Sequence, residues 1–262
     1  MELRVDGRRV FAATGGQPFD PDRAPVVLLH GAGMDHTVWQ LQTRWLAHHG
    51  RAVLAVDLPG HGASEGPPLQ TIDDLARWTV ALLDAAGAKT AALAGHSMGA
   101  MIALATAALA PDRVRALALL GVTPEMPVHP DMLAAARAGE SLASELMCAW
   151  GFGARAQLGG HRAPGLWMVT GGLRLIGRAD PAALAADLAA CSAWKGALDA
   201  AGAVRAPAML ILGSDDKMTP ASRAKPLAAK IAGARVTTIA GAGHMMMIER
   251  PDETLTALAQ VV

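Results

Sequence analysis

Short, uniformly apolar runs alternate with longer helix-like segments, and each run stops at a glycine, an aspartate or a proline turn. This rhythm constrains the fold more than any other feature of the chain. Pro25–Leu29 ends at His30-Gly31, Ala52–Val56 at Asp57 and a Pro-Gly turn, and Thr90–Ala94 at Gly95. Val114–Leu120, Ala208–Leu212 and Val236–Ile239 continue the series. Runs that are apolar throughout, rather than at every second residue, suit parallel strands covered on both faces. Helices are predicted between them at Trp39–His48, Ile72–Ala86, Met98–Leu109, Ala221–Ile231 and Asp252–Val261. The expected fold class is therefore α/β, with a doubly wound, mostly parallel sheet. Ligands of such sheets bind at the carboxyl ends of the strands.

One stretch breaks the rhythm. Between residues 122 and 200 no strand is evident, and helical patches at Met132–Ala138, Leu142–Trp150 and Pro181–Ala190 dominate, punctuated by Gly159-Gly160 and Gly171-Gly172. A crossover needs far fewer residues. The segment reads as a helical cap inserted into a core formed by residues 1–121 and 201–262.

Composition removes several classes of function. Hydrophobic residues make up 52% and charged residues 18%, which excludes a disordered chain. Lys plus Arg and Asp plus Glu both number 23, so no net charge or basic stripe invites nucleic acid or an anionic membrane. The longest apolar stretch, Met98 to Ala110, stops at Pro111 and is too short to span a bilayer. Met1–Gly7 carries charges where a signal peptide needs an apolar centre, so a cytoplasmic protein, monomeric or homodimeric, is expected. Cys148 and Cys191 lack metal-type spacing and read as free, buried thiols. There is no HExxH, no P-loop and no GxGxxG after a strand, so neither a metal nor a cofactor is expected. Asp73-Asp74 reads as a charged helix start.

The sharpest chemical signal is Gly95-His96-Ser97-Met98-Gly99, a G-x-S-x-G between an apolar run and a helix. A tight turn of this kind holds Ser97 in a strained conformation with its hydroxyl accessible, and it needs the small neighbours Gly95, Gly99 and Ala100. A serine needs a base. Of nine histidines, His244 follows the last expected strand in a glycine-rich loop; His96 should point away from the turn, His48 and His49 close a helix, and His129 and His161 belong to the cap. The orienting acid is assigned to Asp216, with Asp215 and Glu125 as alternatives. The order Ser97, Asp216, His244 suits a strand-by-strand α/β arrangement. Oxyanion donors are expected at the backbone of Ala32 and Met98, with His30 a packed imidazole. Gly31, Met34, Trp150 and Trp167 are candidate substrate contacts, and Met98, Met101 and Trp194 could add to an adaptable apolar pocket.

Taken jointly, Leu28–Gly33, Asp57–Ser64, Gly95–Gly99, Gly213–Asp216 and Gly243-His244 before Glu249-Arg250-Pro251 resemble the carboxylesterase-like α/β-hydrolases over almost the whole chain. The resemblance implies the α/β-hydrolase fold, a lid between Leu120 and Pro207, and a structural role for Gly60 and Gly62 in the turn beside the site. It also implies cleavage of small to medium esters through an acyl-enzyme. Ser97 departs from the aspartate nucleophile of haloalkane dehalogenases and epoxide hydrolases, and from the cysteine of dienelactone hydrolases. Ala32-Gly33-Met34 departs from the oxyanion loops of proline iminopeptidases and of carbon–carbon hydrolases. Lactone, thioester or carbon–carbon hydrolysis and perhydrolysis use the same triad and stand as alternatives, with a non-catalytic binding scaffold behind them. The expected partner is a small ester or carbonyl substrate.

Overall fold

Asp6 and Gly7 both take positive φ (50° and 77°), the combination that closes a two-residue hairpin with the right-handed twist of its strands. They join β1 (Glu2–Val5) to β2 (Arg8–Ala13) in antiparallel register, Val5 opposite Arg8. This hairpin was not among the expected elements. The computed structural model describes residues 1–160 and 167–262. Among these, the hairpin begins an eight-stranded sheet continued by β3 (Pro25–Leu29), β4 (Ala52–Val56), β5 (Ala91–His96), β6 (Val114–Leu120), β7 (Ala208–Gly213) and β8 (Arg235–Ile239). The order is β1-β2-β4-β3-β5-β6-β7-β8, parallel from β4 onward.

Every residue of β3 to β5 and β7 is buried, and β6 exposes part of one residue only, as strands covered on both faces require. β8 departs from the expected apolar strand: it lies at the sheet edge, and Val236 is 51% exposed. The core helices are α1 (Gln40–His48), α2 (Ile72–Ala85) and α3 (Met98–Leu109). α3 is buried at all of its first ten positions, against β3, β5, β6 and α2.

Among the described residues, six helices lie between β6 and β7: α4 (Pro130–Ala138), α5 (Leu142–Gly151), α6 (Ala154–Gln157), α7 (Met168–Gly177), α8 (Pro181–Ala193) and α9 (Ala197–Ala203). α4 packs on α5 and α8, and α5 on α7, so these helices pack chiefly on one another. α9 differs: it packs on α3 and on α10 (Lys225–Lys230), so the core resumes inside the segment assigned to the cap and the boundary at residue 200 cuts through a core helix. The expected helix over Ala221–Ile231 is a 3₁₀ turn (Ala221–Ala224) followed by α10. α11 (Met246–Glu249) and α12 (Pro251–Leu258) close the chain against α1.

Gly171-Gly172, expected as a break, lies inside α7 instead. A Cβ on Gly172 would stand 2.6 Å from Phe152 Cε2, so the glycine lets α7 approach the end of α5 closely. No helix among the described residues is long and apolar enough to cross a membrane.

Candidate active site

β5 runs through the middle of the sheet and ends at His96; α3 begins at Met98. Ser97, between them, holds φ 56°, ψ −117°, a conformation that costs a side-chain-bearing residue energy and is kept only where the surroundings enforce it. Here they do. The Ser97 N–H donates to Leu120 O on β6 (2.9 Å) and its carbonyl accepts from Ala100 N (2.9 Å). A Cβ on Gly95 would lie 2.0 Å from Gly99 O, and one on Gly99 would lie 2.2 Å from Leu29 O. The strand-to-helix turn thus closes only with glycine at both positions, and the α3 N-terminus faces the serine.

The loop after β7 carries Asp216. Its Oδ1 accepts from Met218 N (2.9 Å) and Thr219 N (2.8 Å); its Oδ2 accepts from Thr219 Oγ1 (2.6 Å) and pairs with His244 Nδ1 (2.8 Å). Burial alone would raise the Asp216 pKa, but the His244 charge and these hydrogen bonds outweigh it and hold the carboxyl well below the usual range. Asp215 is only half-buried and accepts from Ser214 Oγ. Glu125 pairs with Lys195 at 3.3 Å. Of the three acids considered, Asp216 alone reaches His244.

His244 is anchored through its own backbone. Its N–H donates to Gly151 O (2.6 Å) at the end of α5, and its carbonyl accepts from His96 Nε2 (2.9 Å). His96 is fully buried with its ring 4.7 Å from that of His244; burial first, then the neighbouring His244, holds its pKa well below the ordinary value, so it is neutral. Glu249, whose role the sequence did not reveal, accepts from Gly243 N (3.1 Å) and Gly153 N (2.9 Å), joining the His244 loop to the chain between α5 and α6. Burial raises its pKa in spite of those donors.

The loop after β3 is built on His30. Its ring is buried, Nδ1 donates to Gly31 O (2.9 Å), and Nε2 accepts from Leu58 N (3.1 Å). Burial, with the charge of His61 beside it, lowers the pKa to about 4, so the imidazole is neutral. Met34 N also donates to Gly31 O (3.2 Å). Among the described residues, neither the Ala32 N–H nor the Met98 N–H has an acceptor. In the turn after β4, Asp57 accepts from His36 N and Nδ1 (both 2.8 Å) and from Ala63 N (2.9 Å). Asp35, His36 and Asp57 bring three ligand-type atoms within 4.8 Å of one another. Asp35 is already held by Thr37 and by the Arg178 guanidinium, and Asp57 by His36, so the cluster is a structural knot.

A cavity of about 420 Å³ is walled in part by α4, α5, α7 and α8, with Ser97, His244 and Ala32 among its lining residues. Of the expected contacts, Met34 and Trp150 line it. Gly31 does not: it is pressed behind the wall, where a Cβ would stand 2.9 Å from His96 Nδ1 and 3.3 Å from Ser97 Cβ. Trp167 is also outside and 63% exposed; α7 buries Met168, Gly172 and Ile176 at a four-residue spacing, and Trp167 lies off that face. Met98 and Met101 are core, and Trp194 donates its indole N–H to Asp73 (3.1 Å), so none of these three adds to the cavity as expected. The methionines of the cavity are Met126, Met132, Met147, Met218 and Met245 besides Met34. Cys148 and Cys191 are free and buried against it, and burial raises the Cys148 thiol to about 11. His129 borders the cavity, its ring 5.6 Å from that of Trp150, while His161 and Arg162 lie outside the described residues.

Comparison with known proteins gives the family. A model described as the Alpha/beta hydrolase family matches residues 26–257. A pimeloyl-(acyl-carrier protein) methyl ester esterase from Aromatoleum aromaticum is 30% identical over 259 residues, covering 92% of this chain and 99% of that protein. Epoxide hydrolase A from Mycobacterium tuberculosis is 30% identical over 308 residues, covering 98% of this chain and 94% of that protein. The crystal structure of an enol-lactonase from Burkholderia xenovorans superimposes with a TM-score of 0.88 at 25% identity, covering 99% of this chain and 98% of that one.

Proposed function

The chain belongs to the Alpha/beta hydrolase family, and from that premise we propose that this hydrolase cleaves small to medium carboxylic esters through an acyl-enzyme on Ser97. The observation that carries the reading is the buried His244–Asp216 pair (2.8 Å), with His244 sharing one cavity with a serine held at positive φ. Ser97 Oγ attacks the ester carbonyl and its proton passes to His244 Nε2, while His244 Nδ1–H donates to Asp216 and the ring is stabilised as an imidazolium. The tetrahedral oxyanion takes hydrogen bonds from the unengaged N–H groups of Ala32 and Met98. Collapse expels the alcohol, which takes the proton from His244. Water, deprotonated by the same ring, then releases the acid and restores Ser97. Six methionines with Trp150, Phe152, Ile176 and Leu188 give the acyl group a deformable apolar site.

Esterase and lactonase relatives support ester-type carbonyl chemistry. A serine at the turn, rather than a carboxylate, favours an acyl-enzyme over the chemistry named for epoxide hydrolase A. The enol-lactonase likeness favours a second reading in which the ester is cyclic; the same steps apply, with the leaving alcohol still tethered to the acyl group. Initial rates on p-nitrophenyl esters of increasing chain length, in the wild type and in Ser97→Ala, test the proposal. Hydrolysis that disappears in the variant supports it, and the best chain length sizes the cavity. Equal inactivity of both, on esters and lactones alike, would refute it.

A further inference from the structure

α8 reads Pro181-Ala-Ala-Leu-Ala-Ala-Asp187-Leu-Ala-Ala-Cys-Ser-Ala193, so Asp187 is the only charged side chain on a small, apolar cap helix. It is 1% exposed. A carboxylate in such surroundings persists only with strong partners. Both partners belong to the core and both meet Oδ2: His61 Nε2 at 2.9 Å and Gly33 N at 2.9 Å. His61 is equally buried, and its Nδ1 donates to Pro59 O (3.0 Å), so the nitrogen facing Asp187 carries the second proton of an imidazolium. Burial opposes that charge, but Asp187 outweighs it and the His61 pKa is raised. The other ionisable groups near His61 are Asp57, which favours its charge, and His30, 5.0 Å ring to ring and neutral.

The contact falls at the oxyanion loop. The peptide plane that carries the Ala32 N–H has its oxygen, Gly31 O, held by His30 Nδ1 and Met34 N. The next plane, from Ala32 to Gly33, is held by the Gly33 N–H on Asp187. The core thus pins one side of Ala32 and the cap pins the other. Leu184, one turn before Asp187, closes the same spot: Gly33 has φ 64°, and a Cβ there would lie 2.6 Å from Leu184 Cδ1.

We infer that Asp187 is a positioning residue for acyl transfer: through Gly33 it sets the Ala32 N–H toward the oxyanion, so the hole is complete only when α8 is seated. The inference rests on the esterase reading above. Fluorophosphonate labelling tests it without knowledge of the natural substrate. Ser97 Oγ attacks phosphorus, fluoride leaves, the proton goes to His244, and the phosphoryl oxygen draws on the same donors.

Three variants separate positioning from plain stability. Asp187→Ala deletes the acceptor. Asp187→Asn keeps an oxygen for Gly33 N. The double variant His61→Leu, Asp187→Leu replaces the ion pair with apolar groups, a change commonly neutral or stabilising for the fold, yet still deletes the acceptor. Displacing one oxyanion donor should slow labelling, and kcat on a p-nitrophenyl ester, about ten- to a hundredfold in the alanine and double-leucine variants. KM should move less than about threefold, because the interaction is made in the transition state. Asp187→Asn should stay within about threefold of wild type. A double-leucine variant that melts no lower than wild type yet labels within about twofold of it would overturn the inference, as would a loss confined to KM. The double variant decides even if Asp187→Ala does not fold. Wild type that fails to label, or Ser97→Ala that labels as fast, would instead sink the serine-hydrolase reading and leave the Asp187–Gly33 contact purely structural.

Discussion

Asp216→Asn is the substitution whose consequence the geometry fixes most fully. Oδ1 of the carboxylate faces two N–H donors, Met218 and Thr219, while Oδ2 faces His244 Nδ1 and the Thr219 hydroxyl. An asparagine must put its oxygen on the side of the two backbone donors, since turning it round would aim an NH₂ at both. The amide NH₂ then faces His244 Nδ1 and donates to it, which leaves the imidazole proton on Nε2. That is the nitrogen that must accept the Ser97 proton. The side chain keeps its volume and two of its hydrogen bonds, so the fold should survive with a loss of about 1–2 kcal/mol. The loss of a correctly held tautomer costs about 10⁴ in kcat in triad enzymes, roughly 5 kcal/mol of barrier. The assay is kcat for the best p-nitrophenyl ester, with a thermal melt alongside. Asp215→Asn is the control, because among the described residues its carboxylate accepts only from Ser214. A folded Asp216→Asn variant within about tenfold of wild type, or an equal loss in Asp215→Asn, would refute the assignment of the acid.

Two further predictions concern stability. Gly99→Ala puts a methyl 2.2 Å from Leu29 O and 2.7 Å from His30 O, backbone atoms at and just past the end of β3 that cannot swing aside. A cost of about 3 kcal/mol, or roughly 10 °C in melting temperature, is expected, and a shift under about 2 °C would contradict the close packing of β3 on α3. His30 titrates near 6.5 in the unfolded chain and about 4 in the folded one, so between these values the unfolded state binds more protons. Its contribution is present above pH 6.5 and is lost as the pH falls toward 4, about 3 kcal/mol in all. His96 acts in the same direction, whereas His36 and His61, with raised values, act oppositely. Urea unfolding at pH 7 and 4.5 should show a smaller drop for His30→Gln than for wild type; equal drops would mean that His30 is not buried neutral.

The sheet and the elbow were legible in the sequence because each rests on a local rule. A run such as Ala52–Val56 admits no solvent-facing position, and Gly95–Gly99 cannot close without small residues at fixed spacing. The N-terminal hairpin obeyed a local rule as well: Val5-Asp6-Gly7-Arg8 is an Asp-Gly turn between strands with Leu3, Val5, Val10 and Ala12 as the more buried positions. Its charged residues, Glu2, Arg4, Asp6, Arg8 and Arg9, leave too few apolar positions for the segment to stand out as the core strands do. β8 was recognised by its apolar residues, but that its flank stays bare depends on its edge position, which follows from strand order.

The segment between β6 and β7 was legible as helical and illegible in its contacts, and the reason lies in the distances along the chain. Trp150 and Trp167 look alike in sequence; one lines the cavity and the other is exposed, because the stripe Met168, Gly172, Ile176 decides which way α7 faces. Asp187 is 154 residues from Gly33 and 126 from His61, and Glu249 is 96 from Gly153. No periodicity or motif links such pairs. One clue was local all the same. Asp187 is a lone carboxylate among alanines and leucines on a helix that buries Ala183, Leu184, Ala186, Leu188 and Ala190 around it. A charge in that setting demands a partner of opposite sign from another element. The histidines nearest a glycine-rich turn, His30, His36 and His61, were the short list from which to find it, and of these His61 makes the pair.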